Sequence, residues 1–427
     1  MSLEVYRDIQ GRLVKVGVID DTDSANREPT FRYDVSFLSS PDVTALSFSL
    51  PLRSLAFSEE EFKPYFKGLL PEGAALGNLA MTLGISDDDY LELLARCGLD
   101  CIGDVVINVQ TYQEKRAYRK FSEDEMGALA GHPLARDRLT EGSRLSLAGT
   151  QNKCGLYCAQ SVGGAREWYQ PLGGAPSNCI VKFAHAELSD LMLVEQLCLA
   201  CARACGIDVP PSCLIDLGAP AICIERYDRI MPTEEQLDGL IVPARQHQED
   251  FTQVFGIMPS AKYKELEPDT VSALSLFLRK YSARPARDIE SLARITLFNY
   301  LIGNCDNHLK NLSVLYSPDN KAVSLAPAYD VVSTTFYTRF SRKMGMKLGH
   351  SSVIDEVCTD DIRLHAKRLG IGQKALKSIS CDLLDNAVKG LSDEASNLNK
   401  QGFEVAPHIA DDIEEGMTSR LAVLASL

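Results

Sequence analysis

Positive charge is in short supply in this chain. Lysine and arginine number 44 against 58 aspartates and glutamates, a net charge of −14. A surface this acidic is poorly made to grip DNA or RNA by itself, because phosphate binding draws on clustered basic residues. A local basic patch, or a partner protein, is left to supply any such contact. No apolar run approaches the ~20 residues of a membrane-spanning helix, and the opening residues Met1 to Asp8 contain no apolar signal core. The expected location is therefore the cytoplasm, away from membranes, with thiols reduced. No segment repeats another, and none is of low complexity. The 13 cysteines suggest no disulfide framework. Cys97/Cys101 and Cys154/Cys158 lack a companion His/Cys cluster at zinc-site spacing, while Cys198, Cys201 and Cys205 follow helical spacing and read as small core residues. Walker A and Gly-x-Gly-x-x-Gly signatures are missing as well.

What is present suits a soluble α+β protein. With 427 residues, 45% of them hydrophobic, the chain can build two or three domains around a large core. Strand-like alternation marks Leu3–Tyr6, Leu13–Ile19, Phe31–Val35 and Leu46–Leu50, and Asp87 to Asp89 offer an N-terminal cap to a helix beginning at Tyr90. Further on, Leu145–Leu147 and Cys154–Tyr157 read as a hairpin, Cys179–Phe183 and Ala221–Ile224 as strands, and Met192–Cys205 as a helix. Beyond Asp250 the pattern is mainly helical. The expected division is an α+β subdomain over 1–112, a connecting segment over 113–142, a nucleotide-binding part over 143–228 and a helical lobe over 229–427. A small sheet-rich lobe followed by a helical lobe is how kinase-like folds are built.

The most informative stretch is Leu301 to Asn311, where an apolar helical run stops at Gly303 and a dense polar loop follows. Asp306 and Asn311 stand at the spacing by which a kinase catalytic loop offers a carboxylate to a substrate hydroxyl and an amide oxygen to magnesium. Alone this is a common pattern. Other parts of a phosphoryl-transfer site follow the same order, however. Ala148, Gly149, Thr150, Gln151 and Asn152 form a small, polar loop able to bring N–H groups to an anion, or else a plain hairpin turn. Lys182 interrupts an apolar strand and must find an anion unless it snorkels from an edge. Glu195 lies on a helix that is apolar nearly all round, where a carboxylate needs a partner, and Lys182 is the nearest sensible one. Glu225, Arg226 and Tyr227 follow a buried strand as an adenine-contacting hinge would, or as a charged strand end. Lys310 can stabilise the transferring phosphoryl group, and His308 can act in the site or orient the loop. Asp330, downstream of the loop, takes the place of a second magnesium ligand beside Asn311.

Taken together, these stretches resemble the HipA family, the serine/threonine kinase toxins of bacterial toxin–antitoxin systems. The resemblance rests on Tyr65 to Gly73, Ser146 to Lys153, Ile180 to Lys182, Ile224 to Arg229, Gln248 to Phe251, Gly303 to Asn311 and Tyr329-Asp330, and so spans nearly the whole chain. It implies a two-lobed, protein-kinase-like α+β fold using ATP and Mg2+, with Asp306 catalytic and Asn311 and Asp330 holding the metal. Ala148 to Asn152 would form the phosphate loop, Lys182 would hold the nucleotide phosphates, and Glu225 to Tyr227 would contact adenine. Ser146 matches the serine that family members autophosphorylate, a change that would eject the loop and shut the kinase off; Ser143 and Thr150 are nearby alternatives. The implied partners are a protein substrate such as an aminoacyl-tRNA synthetase and a small helix-turn-helix antitoxin, through which any contact with DNA would run. Two other readings use the same residues: a non-catalytic co-repressor of that antitoxin, and a kinase-fold enzyme acting on a small molecule or transferring a nucleotide.

Overall fold

Alternating apolar residues in the first half of the chain build two antiparallel sheets. The computed structural model describes residues 2–20, 28–109, 115–131, 147–149, 151–160, 165–184, 187–231 and 233–427. They divide into two units. Unit 1 comprises Met1–Glu187, Ile215–Ala261 and Leu315–Lys321, and unit 2 comprises Leu188–Leu214, Lys262–Val314 and Ala322–Leu427. These units cut the chain elsewhere than at 112, 142 and 228, since residues 1–112 share unit 1 with strands from the 143–228 segment.

In unit 1, β1 (Ser2–Ile9), β2 (Arg12–Asp20), β3 (Thr30–Tyr33), β4 (Phe57–Ser58) and β5 (Val105–Val109) form a sheet in the order β4-β3-β2-β1-β5. An aromatic core including Phe31, Tyr33, Phe57, Phe62 and Phe66 packs against it. The helices α1 (Glu59–Lys67) and α3 (Tyr90–Cys97) contribute to this core, with α2 (Gly73–Leu83) between them in sequence. The expected cap is present: the Asp89 carboxylate accepts from the Glu92 N–H at 3.0 Å. Leu46–Leu50, by contrast, is a tight turn with a single Ser47–Leu50 bridge rather than a strand. Side chains take over the work of a ladder there. The Tyr33 hydroxyl donates to Leu50 O and accepts from Leu46 N, while Glu249 accepts from the Ser47 hydroxyl and the Phe48 N–H.

A second sheet carries β6 (Ala117–Lys120), β7 (Lys153–Gln160), β8 (Arg166–Leu172), β9 (Cys179–Phe183) and β10 (Pro220–Glu225), in the order β10-β9-β7-β8-β6. Of the expected partner of β7, Leu145–Leu147, residues 145 and 146 lie outside the described residues. Gly149 bridges to Pro71.

A buried ionic network explains why the early subdomain does not separate from the rest of unit 1. Asp100 accepts from Arg229 at 2.8 Å, from Arg245 at 3.2 Å and from the Ser177 hydroxyl at 2.8 Å. Arg226 grips Asp228 with two hydrogen bonds of 2.9 and 2.7 Å. Asp104 pairs with Arg7 at 2.9 Å and with His247 at 2.7 Å. Burial alone would raise the pKa of Asp100, but Arg229, Arg226 and Arg245 hold it well below the usual carboxylate range.

Glu249 behaves oppositely. Burial pushes its pKa from 4.5 up to about 7, only partly offset by Ser47 and Tyr316. The folded chain therefore retains a proton that the unfolded chain releases, so stability should fall as pH rises from about 5 to 7 and level off above. The full effect is about 3 kcal/mol. Urea midpoints at intervals across this range should show the slope in the wild type and a reduced slope in Glu249→Gln; equal slopes would remove Glu249 from the account.

Unit 2 is mainly helical. It contains α4 (Leu191–Ala204), α5 (Thr270–Tyr281), α6 (Pro285–Ile302), α7 (Thr359–Leu369), α8 (Gln373–Lys400) and α9 (Ala406–Ala425), with a hairpin of β11 (Lys343–Leu348) and β12 (Ser351–Val353). α4 packs on α8, and α6 packs on α5 and α9. Cys198, Cys201 and Cys205 are buried, and the Cys201 thiol donates to Ala387 O at 3.2 Å. Among the described residues, no helix is long and apolar enough to cross a membrane.

Candidate active site

The catalytic-loop candidate begins where α6 is forced to stop. Gly303 adopts φ +81°, and its N–H closes the last turn on Tyr300 O at 3.2 Å. A β-carbon here would lie 1.9 Å from the Thr335 hydroxyl oxygen, so both conformation and space call for glycine. The chain then turns through Asn304 and Cys305 before exposing Asp306.

Two hydrogen bonds hold the backbone of Asp306. Its N–H donates to Asn304 Oδ1 at 3.0 Å, and its carbonyl accepts from Asn311 Nδ2 at 2.9 Å. The Asp306 side chain itself remains half exposed, while that of His308 is buried with Nε2 3.8 Å from Asp306 Oδ1. Because Asn311 spends its amide nitrogen on the backbone, its Oδ1 is the atom left to meet a cation. That is the oxygen chemistry magnesium prefers. Lys310 is buried on the short helical turn Leu309–Asn311, and its carbonyl accepts from the Tyr329 hydroxyl at 2.7 Å.

That tyrosine bond ties the loop to the segment bearing Asp330. Two further links reinforce it: Asn304 Nδ2 donates to Asp330 O at 3.4 Å, and the Cys305 N–H donates to the Thr334 hydroxyl at 2.8 Å. Asp330 has φ +52°, a left-handed conformation that a non-glycine residue adopts at some cost, and such residues concentrate at functional sites. The structure thus brings Asp306, His308, Lys310, Asn311 and the Asp330 segment together in unit 2. Among the described residues there is no group of three or more His, Cys, Asp or Glu side chains arranged to hold a metal. A magnesium ion held by one carboxylate, one amide oxygen and the phosphates of a nucleotide needs no such group. The oxygen donors of Asn311 and Asp330 fit that manner of binding.

A cationic pair stands in unit 1. Lys182 on β9 is 4% exposed and lies directly opposite Lys153 on β7 and Ile222 on β10. Directly opposed residues share one face of a sheet, and like charges so placed repel. The phosphate-loop candidate lies alongside. Gly149 has φ +107°, and a β-carbon there would be 2.9 Å from Lys153 Nζ. The Pro71-Glu72-Gly73 turn clasps this loop, with Glu72 N–H donating to Gly149 O at 3.0 Å. Ala148 is half-buried, and Gln151 and Asn152 lead directly into β7, where Asn152 O accepts from Phe183 N at 3.0 Å. Thr150, Ser146 and Ser143 lie outside the described residues.

Arg226 turns its side chain inward. Its guanidinium is consumed by Asp228, the Ser177 hydroxyl and Cys101 O, and its own N–H donates to Asn178 O at 2.9 Å. It is a member of the buried ionic network. Glu225 remains exposed at the end of β10, and Tyr227 is half-buried with its hydroxyl bonded to Gln248. Glu195 is completely buried on α4 in unit 2.

Two residues escaped the sequence reading. Lys153 could have been suspected as the end of the polar loop, but its pairing with Lys182 depends on strand register. Tyr263 lies 43 residues before Asp306, and its hydroxyl donates to Asp306 Oδ1 at 2.6 Å. No spacing pattern announces a contact of that range.

Comparison with known proteins places the chain in a family. The HipA-like C-terminal domain model matches residues 145–391 and the HipA N-terminal domain model matches residues 9–108. These two domains define the class, and the mixed α+β fold accords with it. The chain belongs to the HipA family. Y4mE of Sinorhizobium fredii, provisionally named a kinase, is 33% identical over 90% of this chain and 91% of its own. The serine/threonine-protein kinase toxin HipA of Shewanella oneidensis is 27% identical over 71% of this chain and 70% of its own. The solved Shewanella oneidensis complex of HipA, HipB and operator DNA contains a chain matched with a TM-score of 0.75 at 21% identity, over 99% of this chain and 97% of that one. It supports the fold.

Proposed function

We propose that this protein is an ATP- and magnesium-dependent serine/threonine protein kinase, the toxin of a toxin–antitoxin pair. The observation that carries this reading is the hydrogen-bonded joining of the Asp306 loop to the Asp330 segment, with the Asp306 carboxylate half exposed and the Asn311 amide nitrogen already committed. In this reading Asp306 orients an acceptor hydroxyl and takes its proton as the oxygen attacks the terminal phosphorus of ATP. Lys310 offsets negative charge on the group in transit, and buried His308 holds the loop from behind. Asn311 and Asp330 would hold magnesium, which supplies charge neutralisation at the phosphates. Lys182 and Lys153 hold those phosphates beside the loop Ala148 to Asn152, with Thr150 among its members. Glu225 and Tyr227 line the adenine side.

We further propose that the acceptor is a serine or threonine of a translation component such as an aminoacyl-tRNA synthetase, and that phosphorylation of Ser146 switches the kinase off. The antitoxin of this chain would be a small DNA-binding protein. In support, a HipA relative has been solved with HipB and operator DNA, and a net charge of −14 suits a chain that leaves DNA contact to its partner.

Removing either phosphate-holding cation tests the nucleotide half of the site. Lys182→Met and Lys153→Met should each weaken binding of a non-hydrolysable ATP analogue with magnesium by about 10-fold or more, the worth of a charge-assisted bond. Titration calorimetry reads this directly, and unchanged affinity in both variants would dismiss the paired lysines. A phosphoproteome of cells making the wild-type or the Asp306→Asn chain would identify the acceptor. A difference confined to proteins outside translation would overturn the proposed target.

A further inference from the structure

The contact between Tyr263 and Asp306 lies outside the set of parts a phosphotransfer site requires. Tyr263 sits in the segment that leads into α5 and is 55% exposed. An exposed tyrosine normally has little to fix its hydroxyl in one place. Here the ring stands edge-on to His308, with centroids 5.0 Å apart and planes at 77°. The hydroxyl reaches Asp306 Oδ1 at 2.6 Å. The surrounding frame is also tethered. Glu265 accepts from the Thr270 N–H at 3.0 Å and pairs with Lys347 of β11 at 3.3 Å. The same strand braces the catalytic loop, since Gly345 N–H donates to Cys305 O at 2.7 Å.

The consequence concerns how Asp306 divides its two oxygens. Oδ1 is the oxygen that faces both the Tyr263 hydroxyl and, at 3.8 Å, His308 Nε2. Among the described residues Oδ2 receives no hydrogen bond, and the side chain is half exposed. We infer that Tyr263 is a positioning residue: it fixes Asp306 through Oδ1, so that Oδ2 alone is presented to the acceptor hydroxyl. This rests on the kinase reading given above and adds a residue to it. A carboxylate free to rotate would spend part of its time aimed away from the acceptor, and the transition state would lose that fraction of its alignment. The tyrosine is not among the residues assigned above to nucleotide or metal, so its loss should slow the chemical step and leave nucleotide binding alone.

The experiment uses the full chain with γ-labelled ATP and magnesium, following phosphate release together with label incorporated into the chain itself. Tyr263→Phe, which keeps the ring on His308, should lower kcat by about 10-fold, the value of one hydrogen bond to a charged group, with KM for ATP and the melting temperature unchanged. Tyr263→Ala should lower kcat at least as far. If Tyr263→Phe leaves kcat unchanged, or raises it by releasing a hydroxyl that blocks the acceptor position, the positioning role is overturned. Phosphotyrosine at residue 263 would overturn it too, by making Tyr263 an acceptor. Asp306→Asn separates this inference from the reading beneath it. Full turnover in that variant, or none in the wild type, defeats the kinase site itself, whereas loss of turnover in Asp306→Asn with normal turnover in Tyr263→Phe defeats the tyrosine's role alone.

Discussion

Asp306→Asn should reduce phosphate transfer from ATP by about 10^2- to 10^4-fold, the range that a positioned general base supplies. The substitution is nearly isosteric and keeps an oxygen for the Tyr263 hydroxyl. What it removes is the capacity to accept a proton from the acceptor. The side chain is half exposed and belongs to no core, so the melting temperature should barely move. The loop bonds from Asn304 and Asn311 go to the Asp306 backbone and survive the change. Nucleotide affinity should also survive, because the proposed phosphate contacts come from Lys153 and Lys182. A large loss of transfer with intact folding and binding is therefore the expected signature. Loss of all three together would mean that Asp306 props the loop instead of performing chemistry.

The largest effect on stability is expected from Asp100→Ala. This carboxylate is completely buried and accepts from Arg229, Arg245 and the Ser177 hydroxyl and N–H, with Arg226 at 3.6 Å. Removing it strands guanidinium groups in a medium that solvates them poorly. The cost of breaking a buried ionic cluster in this way is about 3–5 kcal/mol, a large part of the stability of an ordinary domain. Because Asp100 lies within the HipA N-terminal domain match and its arginines lie within the C-terminal one, the loss should disturb both parts of unit 1. Urea denaturation followed by tryptophan fluorescence at Trp168 and by circular dichroism should show a lowered midpoint in both signals. Asp360→Ala serves as a control, since its ion pair with Arg363 is on the surface with the carboxylate 86% exposed; such pairs contribute little. A midpoint for Asp100→Ala as close to wild type as that of the control would show that the cluster is not what holds unit 1 together.

These two residues also mark what could and could not be seen in the sequence. The Asp306 loop was legible because its meaning is local: an apolar helix, a glycine that must end it, and polar residues at fixed intervals. The Asp89 cap and the strand bearing Lys182 were legible for the same reason. Asp100 gave no signal, since an aspartate between apolar residues says nothing about which arginines, more than a hundred positions away, will surround it. The surroundings of Arg226 were hidden on the same account. Its place after a buried strand suggested a hinge, while the contacts that occupy it come from Cys101, Ser177 and Asp228. Leu46–Leu50 shows another limit. Its alternation is strand-like, but Tyr33 and Glu249 satisfy its backbone and side chains and leave a turn. The partnership of Lys153 with Lys182 and the reach of Tyr263 to Asp306 likewise depend on three-dimensional register.

The central claim is that the Asp306 loop and Asp330 perform phosphoryl transfer from ATP. It is tested most directly by mass spectrometry of the full chain after incubation with ATP and magnesium, with Asp306→Asn and Asp330→Asn in parallel. The account predicts that the wild type gains the mass of a phosphoryl group, reversible by phosphatase, and that neither folded variant does. Addition of an AMP group, or equal phosphorylation in wild type and both variants, would contradict it.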